Sequence, residues 1–173
     1  MQSISTMIVR KANKSDLGDI MLMYNSCVKG MLKNGITQWD TSYPNSDIIL
    51  ADLKARTYYI AEENGEIIGG INIDDKQDPT YLAIDWKDKS NQFLVVHRLA
   101  VKEENWGDGI GKKLMLFTED VIIEEGYTSV RLDTYSGNPK AMDFYKKLGY
   151  TELGTINLKP NKKEYYCFEK IIK

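Results

Sequence analysis

The segment Leu99-Ala-Val-Lys-Glu-Glu-Asn-Trp-Gly-Asp-Gly-Ile-Gly-Lys-Lys-Leu114 holds the chain's most specific chemistry. An apolar run ends, a glycine-rich turn follows, and a helical pattern begins. A helix start offers unpaired N–H groups and the positive end of the helix dipole, so this arrangement favours an anion. Glycines at 107, 109 and 111 let the backbone approach a bulky anion closely. Spacing then discriminates. Gly-x-Gly-x-Gly is not the dinucleotide fingerprint Gly-x-Gly-x-x-Gly, and no acid-terminated second strand follows. A Walker A loop needs four residues between its glycines and Ser or Thr after Lys. Here Gly107 and Gly111 enclose three, and Lys113 stands in the hydroxyl position. One further side chain suits proton transfer: His97, the only histidine.

These residues need elements to position them. Ile8–Ala12 reads as a strand, with Ser15 as N-cap and Asp16 in the first turn of a helix. Leu17, Ile20, Met21, Tyr24 and Val28 fall at helical spacing, and Gly30 and Gly35 are expected to loosen the helix end. Residues 36–44 form an aromatic loop, and a second helix starts at Ser46-Asp47. Tyr58–Glu62 and Glu66–Ile73 pair across Asn64-Gly65, the strongest hairpin signal in the chain. Asp74–Gln92 is irregular and Phe93–Val101 is a strand. Residues 107–126 form the clearest helix, with Ile110, Leu114, Phe117 and Val121 on one face. Val130–Thr134 is a strand and Asn138–Leu148 a helix closed by Gly149. Tyr150–Leu158 and Glu164–Ile172 form a terminal hairpin. The order β-α-α-β-β-β-α-β-α-β-β implies an α/β (α+β) fold with a mixed sheet and helices on its faces, one domain over residues 1–173. Residues 1–6 are expected to be a disordered extension.

A second segment gives the turn a context. Asn138-x-x-Ala141-x-x-Phe144-Tyr145-x-x-x-Gly149-Tyr150 resembles the signature of the GNAT superfamily of N-acetyltransferases. With the Leu-Ala-Val strand and the Gly-x-Gly-x-Gly turn, it resembles that family's acetyl-CoA site. The resemblance covers residues 7–172 and implies a mostly antiparallel central sheet. It also implies residue roles. The amides of Gly107, Asp108, Gly109, Ile110, Gly111 and Lys112 would hold the CoA pyrophosphate. Leu99, Ala100 and Val101 would pair with the pantetheine arm and orient the acetyl carbonyl. Asn138 would contact the arm, and Tyr145 would sit near the thioester sulfur. The family usually has Gln or Arg where this chain has Trp106. Affinity for CoA is what that departure bears on, with Lys112 or Lys102 as compensating cations.

Acyl transfer requires a neutral amine, a stabilised oxyanion and a protonated leaving thiolate. An alkylammonium group has a pKa near ~10 and must lose a proton before it attacks. A backbone N–H near Leu99–Val101 can polarise the carbonyl, and the Tyr145 phenol can donate to sulfur. His97 precedes Leu99 by two residues, so regular alternation would place both on one strand face. His97-Arg-Leu-Ala-Val also resembles the arylalkylamine N-acetyltransferases, where a similarly placed histidine serves in proton removal. The expected reaction is direct attack by a primary amine of a small molecule or peptide on acetyl-CoA in a ternary complex. Trp39, Tyr43 and Trp86, aromatics in polar loops, are the candidate acceptor-binding residues. Asp40 or Asp85 could attract the amine.

Composition bounds the alternatives. The chain has 173 residues, with 23 basic against 25 acidic side chains for a net charge of −2. That balance gives no electrostatic reason to expect nucleic acid. Two distant cysteines and a single histidine make a structural zinc site unlikely on ligand count, so no metal is expected. No apolar run approaches the ~18 residues of a membrane span, and no leader pattern precedes the first strand, so the cytoplasm is expected. A homodimer is the oligomer the resemblance suggests. The competing readings are a non-catalytic CoA-binding or regulatory domain, and a nucleotide-phosphate-binding protein.

Overall fold

The computed structural model describes residues 7–40, 42–160 and 162–172; the expected extension at residues 1–6 lies outside the described residues. The elements run β1 (Met7–Lys11), α1 (Leu17–Lys33), α2 (Ser46–Ala55), β2 (Tyr58–Glu63), β3 (Glu66–Asp74), β4 (Phe93–Val101), α3 (Ile110–Glu124), β5 (Ser129–Tyr135), α4 (Pro139–Lys147), β6 (Thr151–Ile156) and β7 (Tyr165–Ile171). This is the order the sequence implied. The strands are hydrogen-bonded in the order β1-β2-β3-β4-β5-β7-β6. The β4/β5 pair is parallel, whereas β1/β2, β2/β3, β5/β7 and β6/β7 are antiparallel. No helix of the described residues is long and apolar enough to cross a membrane.

By internal contacts the chain divides into two compact units. The first holds residues 7–73 and 97–117, and its chain path begins with a correction. Asn13, not Ser15, caps the first helical segment. Its Oδ1 accepts from Ser15 N–H at 3.0 Å, and Asp16 Oδ2 accepts from Asn13 N–H at 2.9 Å, a reciprocal box. Nor does Gly30 loosen α1. The helix runs through it to Lys33, and the glycine is there because a side chain would collide with Glu103 and Trp106. Asn64 and Gly65 both take positive φ, 51° and 80°, as a two-residue type I′ hairpin requires.

The apolar face of α1 (Ile20, Met23, Tyr24, Cys27, Val28, Met31) packs with Ile49 and Leu53 of α2 and with Tyr58 and Ile60 of β2. Each aliphatic side chain buried this way contributes about 1.5–3 kcal/mol. Gly69 lets the other side of β3 receive Ile110 and Leu114 of α3. Gly70 does the same for the Tyr58 phenol, which lies where a β-carbon would stand.

The second unit holds residues 74–96 and 118–173. β4 pairs with β5 over Phe93–Val95 only, and β7 lies between β5 and β6. Tyr81, Trp86, Val95, Tyr135, Ile156, Tyr165 and Cys167 form its core. Segment 74–92 is less irregular than its composition suggested. Pro79–Ala83 is a 3-10 helix capped by Asp78. Buried Glu169 accepts from the amides of Lys87 and Asp88 at 2.9 and 3.2 Å. Asp88 in turn accepts from Thr128 and Ser129, both at 2.6 Å. The Arg131 guanidinium is stacked between Phe93 and Trp86, 3.8 and 4.5 Å from the ring centres.

Two predictions follow from this packing. Gly70→Ala inserts a methyl group against a fully buried phenol and is expected to destabilise the fold by about 1–3 kcal/mol, read from urea unfolding. An unchanged midpoint would show that Tyr58 is free to shift.

The second concerns alkaline pH. Burial pushes up the phenols of Tyr24, Tyr58, Tyr81, Tyr145 and Tyr150, and moves the thiols of Cys27 to about 11 and Cys167 to about 12. Above their unfolded values, 9.0 for thiol and 10.0 for phenol, the unfolded chain binds fewer protons than the native one. Stability is therefore complete below about pH 9 and falls as pH rises. A phenolate absorbance titration should show these tyrosines ionising together with unfolding. Independent ionisation near the ordinary value, with the fold intact, would contradict the burial.

Candidate active site

The first unit contributes a strand, a turn and a helix start. In β4, His97 and Leu99 are half-buried and Ala100 is buried. Arg98 between them has φ 56°, in the left-handed region. For a side chain with a β-carbon this conformation costs about 1–2 kcal/mol. Regular alternation presumes extended backbone at every residue, so the shared face of His97 and Leu99 does not follow from spacing alone. Nothing in the residue type announced this.

The Arg98 side chain is held by α2. Its Nε donates to Asp52 Oδ2 at 2.9 Å and its Nη2 to Asp52 Oδ1 at 2.8 Å, a bidentate pair with side-chain exposures of 13% and 11%. Nη1 donates to the Tyr43 hydroxyl at 3.4 Å. The Arg98 carbonyl accepts from the Tyr24 hydroxyl of α1 at 2.5 Å, and Tyr24 accepts from Tyr58 at 2.8 Å. Burial works against the Arg98 charge, but the Asp52 carboxylate outweighs it and the guanidinium is raised above its ordinary value. Asp52 and Tyr24 were absent from the sequence-derived candidates.

Past the strand, Lys102 N–H donates to Ile68 O at 2.8 Å, and Glu103 N–H to Ser26 Oγ at 3.0 Å. Trp106 is a structural donor: its indole N–H reaches Val101 O at 2.8 Å while the ring lies against Gly30. Gly107 and Gly109 follow with φ of 87° and 81°, and a β-carbon at either would meet nothing within 4 Å. Backbone conformation, not crowding, selects glycine there.

The first helical bond of α3 is Lys113 N–H to Gly109 O at 3.1 Å. The amides of Ile110, Gly111 and Lys112 precede it and have no partner within the helix. With residues 107–109 exposed around them, this backbone fits a diphosphate approaching the turn. Lys112 is exposed, whereas Lys102 is paired with Glu66 and Glu104.

The remaining candidates divide between the units. In the first, Trp39 is buried with its ring edge-on to Tyr24 at 5.8 Å, a core position. Tyr43 is half-buried and bonded to Arg98. In the second unit, Trp86 is buried, its indole N–H on Tyr81 O at 2.8 Å. Asp85 is exposed and paired with Lys87 and Lys89, which lower it to about 2. Asn138 is the N-cap of α4, Oδ1 accepting from Ala141 N–H at 3.2 Å. Tyr145 is buried among Phe144, Tyr150 and Phe168, with ring centres 5.0–5.9 Å apart. Burial, then the Asp133 charge, raises its phenol, so it stays protonated throughout the neutral range.

Known proteins agree with this chemistry. An S-(2-succino)cysteine N-acetyltransferase from Bacillus subtilis (strain 168) is 24% identical over 86% of this chain and 87% of its own length. A thialysine N-epsilon-acetyltransferase from Bos taurus is 34% identical over 68 residues, 39% of this chain and only 38% of the bovine protein. Among solved structures, a GNAT-family acetyltransferase from Streptococcus agalactiae 2603 superposes with a TM-score of 0.81 at 25% identity, covering 95% of each chain. Residues 28–150 match the family model described as the acetyltransferase (GNAT) family, a stretch that takes in the turn, β4 and the Asn138–Tyr150 motif, and the chain belongs to that family.

Proposed function

We propose that the chain transfers the acetyl group of acetyl-CoA to a primary amine of a small, amino-acid-like molecule, by direct attack in a ternary complex. The observation that carries this reading is the strand–turn–helix of residues 97–113, a backbone anion site joined to a strand that is re-aimed at Arg98. The amides of Gly107–Lys112 bind the pyrophosphate, Leu99–Val101 align the pantetheine arm, and Asn138 contacts that arm. Because Trp106 and Lys102 are occupied within the protein, the anion is held chiefly by backbone donors, with Lys112 as the nearby mobile cation. The acceptor class is supported by the two relatives, whose names specify S-(2-succino)cysteine and thialysine.

The chemistry has three proton movements. His97 takes a proton from the ammonium of the acceptor, directly or through water, and so supplies the free amine. The amine nitrogen attacks the thioester carbonyl, whose developing oxyanion is stabilised by a β4 amide. The C–S bond then breaks, Tyr145 donates its proton to the leaving thiolate, and the nitrogen loses its second proton to solvent. Trp39 and Trp86 act by packing, which leaves Tyr43 as the aromatic nearest in character to an acceptor contact. Both cysteines are free and buried, consistent with a cytoplasmic enzyme.

Acetyl-CoA should raise the melting temperature where ATP and NAD do not, and thiol release should appear with amino-acid-derived amines. Stabilisation by ATP or NAD alone would overturn the proposal, and binding of acetyl-CoA without turnover on a broad amine panel would make the chain a CoA-binding regulator. Gly109→Val places a branched residue at φ 81° and is expected to weaken acetyl-CoA binding at least tenfold by calorimetry.

Tyr145→Phe should lower kcat by about 10²-fold or less while acetyl-CoA affinity stays within threefold. An unchanged kcat would remove Tyr145 from the mechanism. His97→Ala leaves deprotonation to the free ammonium, whose pKa is near ~10, so the variant should be slower at neutral pH and its rate should keep climbing into the alkaline range. An identical profile would assign His97 a packing role.

A further inference from the structure

We propose that Asp52 and Tyr24 are positioning residues for acetyl transfer, holding Arg98 in its left-handed conformation and thereby setting the direction of the β4 backbone at Leu99–Val101. The inference rests on the reading of Leu99–Val101 as the acyl-aligning segment. Its observations are independent of that reading.

A left-handed residue inside a strand is normally glycine. Here it is arginine, so something outside the strand must overcome its preference for extended backbone. Two helices supply it. α2 presents Asp52, whose two oxygens take Nε and Nη2 in a fork that fixes the guanidinium in plane. α1 presents Tyr24, whose hydroxyl donates to the carbonyl of the left-handed residue itself. The Tyr58 hydroxyl donates to Tyr24 and so orients that proton toward Arg98. Tyr43 takes the remaining guanidinium nitrogen, which ties the 36–44 loop to the same point.

Side chain and carbonyl of one residue are thus held from different helices, and a rotation at residue 98 would break both sets of bonds. The residues on either side are His97 and Leu99, the proposed proton acceptor and the first of the acyl-aligning positions. The arginine offers what glycine would not: a handle by which α1 and α2 determine where the strand points. Asp52 and Tyr24 need not touch either substrate to govern the rate.

Four variants test the clamp: Asp52→Asn, Tyr24→Phe, Arg98→Ala and Arg98→Gly. Asp52→Asn keeps the shape and removes the charge. It should speed deuterium exchange of the 97–101 amides and lower kcat by about tenfold to a hundredfold, with acetyl-CoA affinity within threefold, because the 107–112 turn is untouched. Tyr24→Phe should act in the same direction, more weakly.

The comparison at residue 98 separates positioning from general stability. Glycine adopts φ 56° without penalty, so Arg98→Gly should retain several-fold more activity than Arg98→Ala, although both lose the same ion pair. Equal activity of the two, or wild-type exchange and kcat in Asp52→Asn, would overturn the clamp. If Asp52→Asn does not fold, the glycine-against-alanine pair decides alone. Should the wild-type chain acetylate no amine, the proposed function fails, while amide exchange in the same variants still tells whether Asp52 and Tyr24 hold the strand.

Discussion

A single residue held against its backbone preference organises the first unit. Arg98 occupies the left-handed region within β4, at a cost of about 1–2 kcal/mol. The surrounding structure must exceed that penalty. A charged hydrogen bond contributes about 1.5–3 kcal/mol, and Arg98 makes two with Asp52, plus one through its carbonyl. Desolvation of the buried pair consumes part of this gain. Much of the unit's architecture serves it. α1 and α2 must deliver Tyr24 and Asp52 to one point, and Gly70 must leave space for the Tyr58 phenol that orients Tyr24.

The anion turn depends on the same region by a different route. Val101 ends the strand, and its carbonyl is taken by the Trp106 indole. Trp106 rests on Gly30 of α1, and Glu103 is tied to Ser26 of α1. The turn is therefore fastened to the helix that also carries Tyr24. Trp106 thereby braces the turn against Val101 and Gly30. A turn whose amides are presented in a fixed arrangement needs less ordering to receive an anion.

How much of this could be read from the residues follows from which signals are local. The Asn64-Gly65 hairpin and the Phe93–Val101 strand were legible because each is specified by neighbours within a few positions. So were the Gly107–Gly111 turn and the Asn138–Gly149 helix. The Asn13 cap was misassigned to Ser15, since both residue types cap and only the side-chain geometry distinguishes them. Gly30 read as a helix end because its reason for being glycine is Trp106, 76 positions away in sequence (106 − 30). Asp52 was invisible for the same reason: an acidic residue on a helix is ordinarily solvated, and only folding brings Arg98 to it. Trp39 and Trp86 looked like loop aromatics, yet tertiary packing buries both.

The second unit shows the same logic applied to a loop. Segment 74–92 is rich in polar residues, but buried Glu169 accepts from its backbone amides at Lys87 and Asp88, and the Asp88 carboxylate accepts from the hydroxyls of Thr128 and Ser129. Buried Glu169 is satisfied by two backbone donors, and the nearby Arg131, which also feels its charge, stacks between Phe93 and Trp86. In both units, then, a charged side chain on a central strand is fixed by groups from segments distant in sequence: Asp52 and Tyr43 for Arg98, Trp86 and Gln77 for Arg131. The difference is in what is fixed. Arg131 immobilises the loop that covers it. Arg98 bends the strand that carries it, and a bend at that position acts on backbone groups, which no substitution at Leu99, Ala100 or Val101 short of proline would remove.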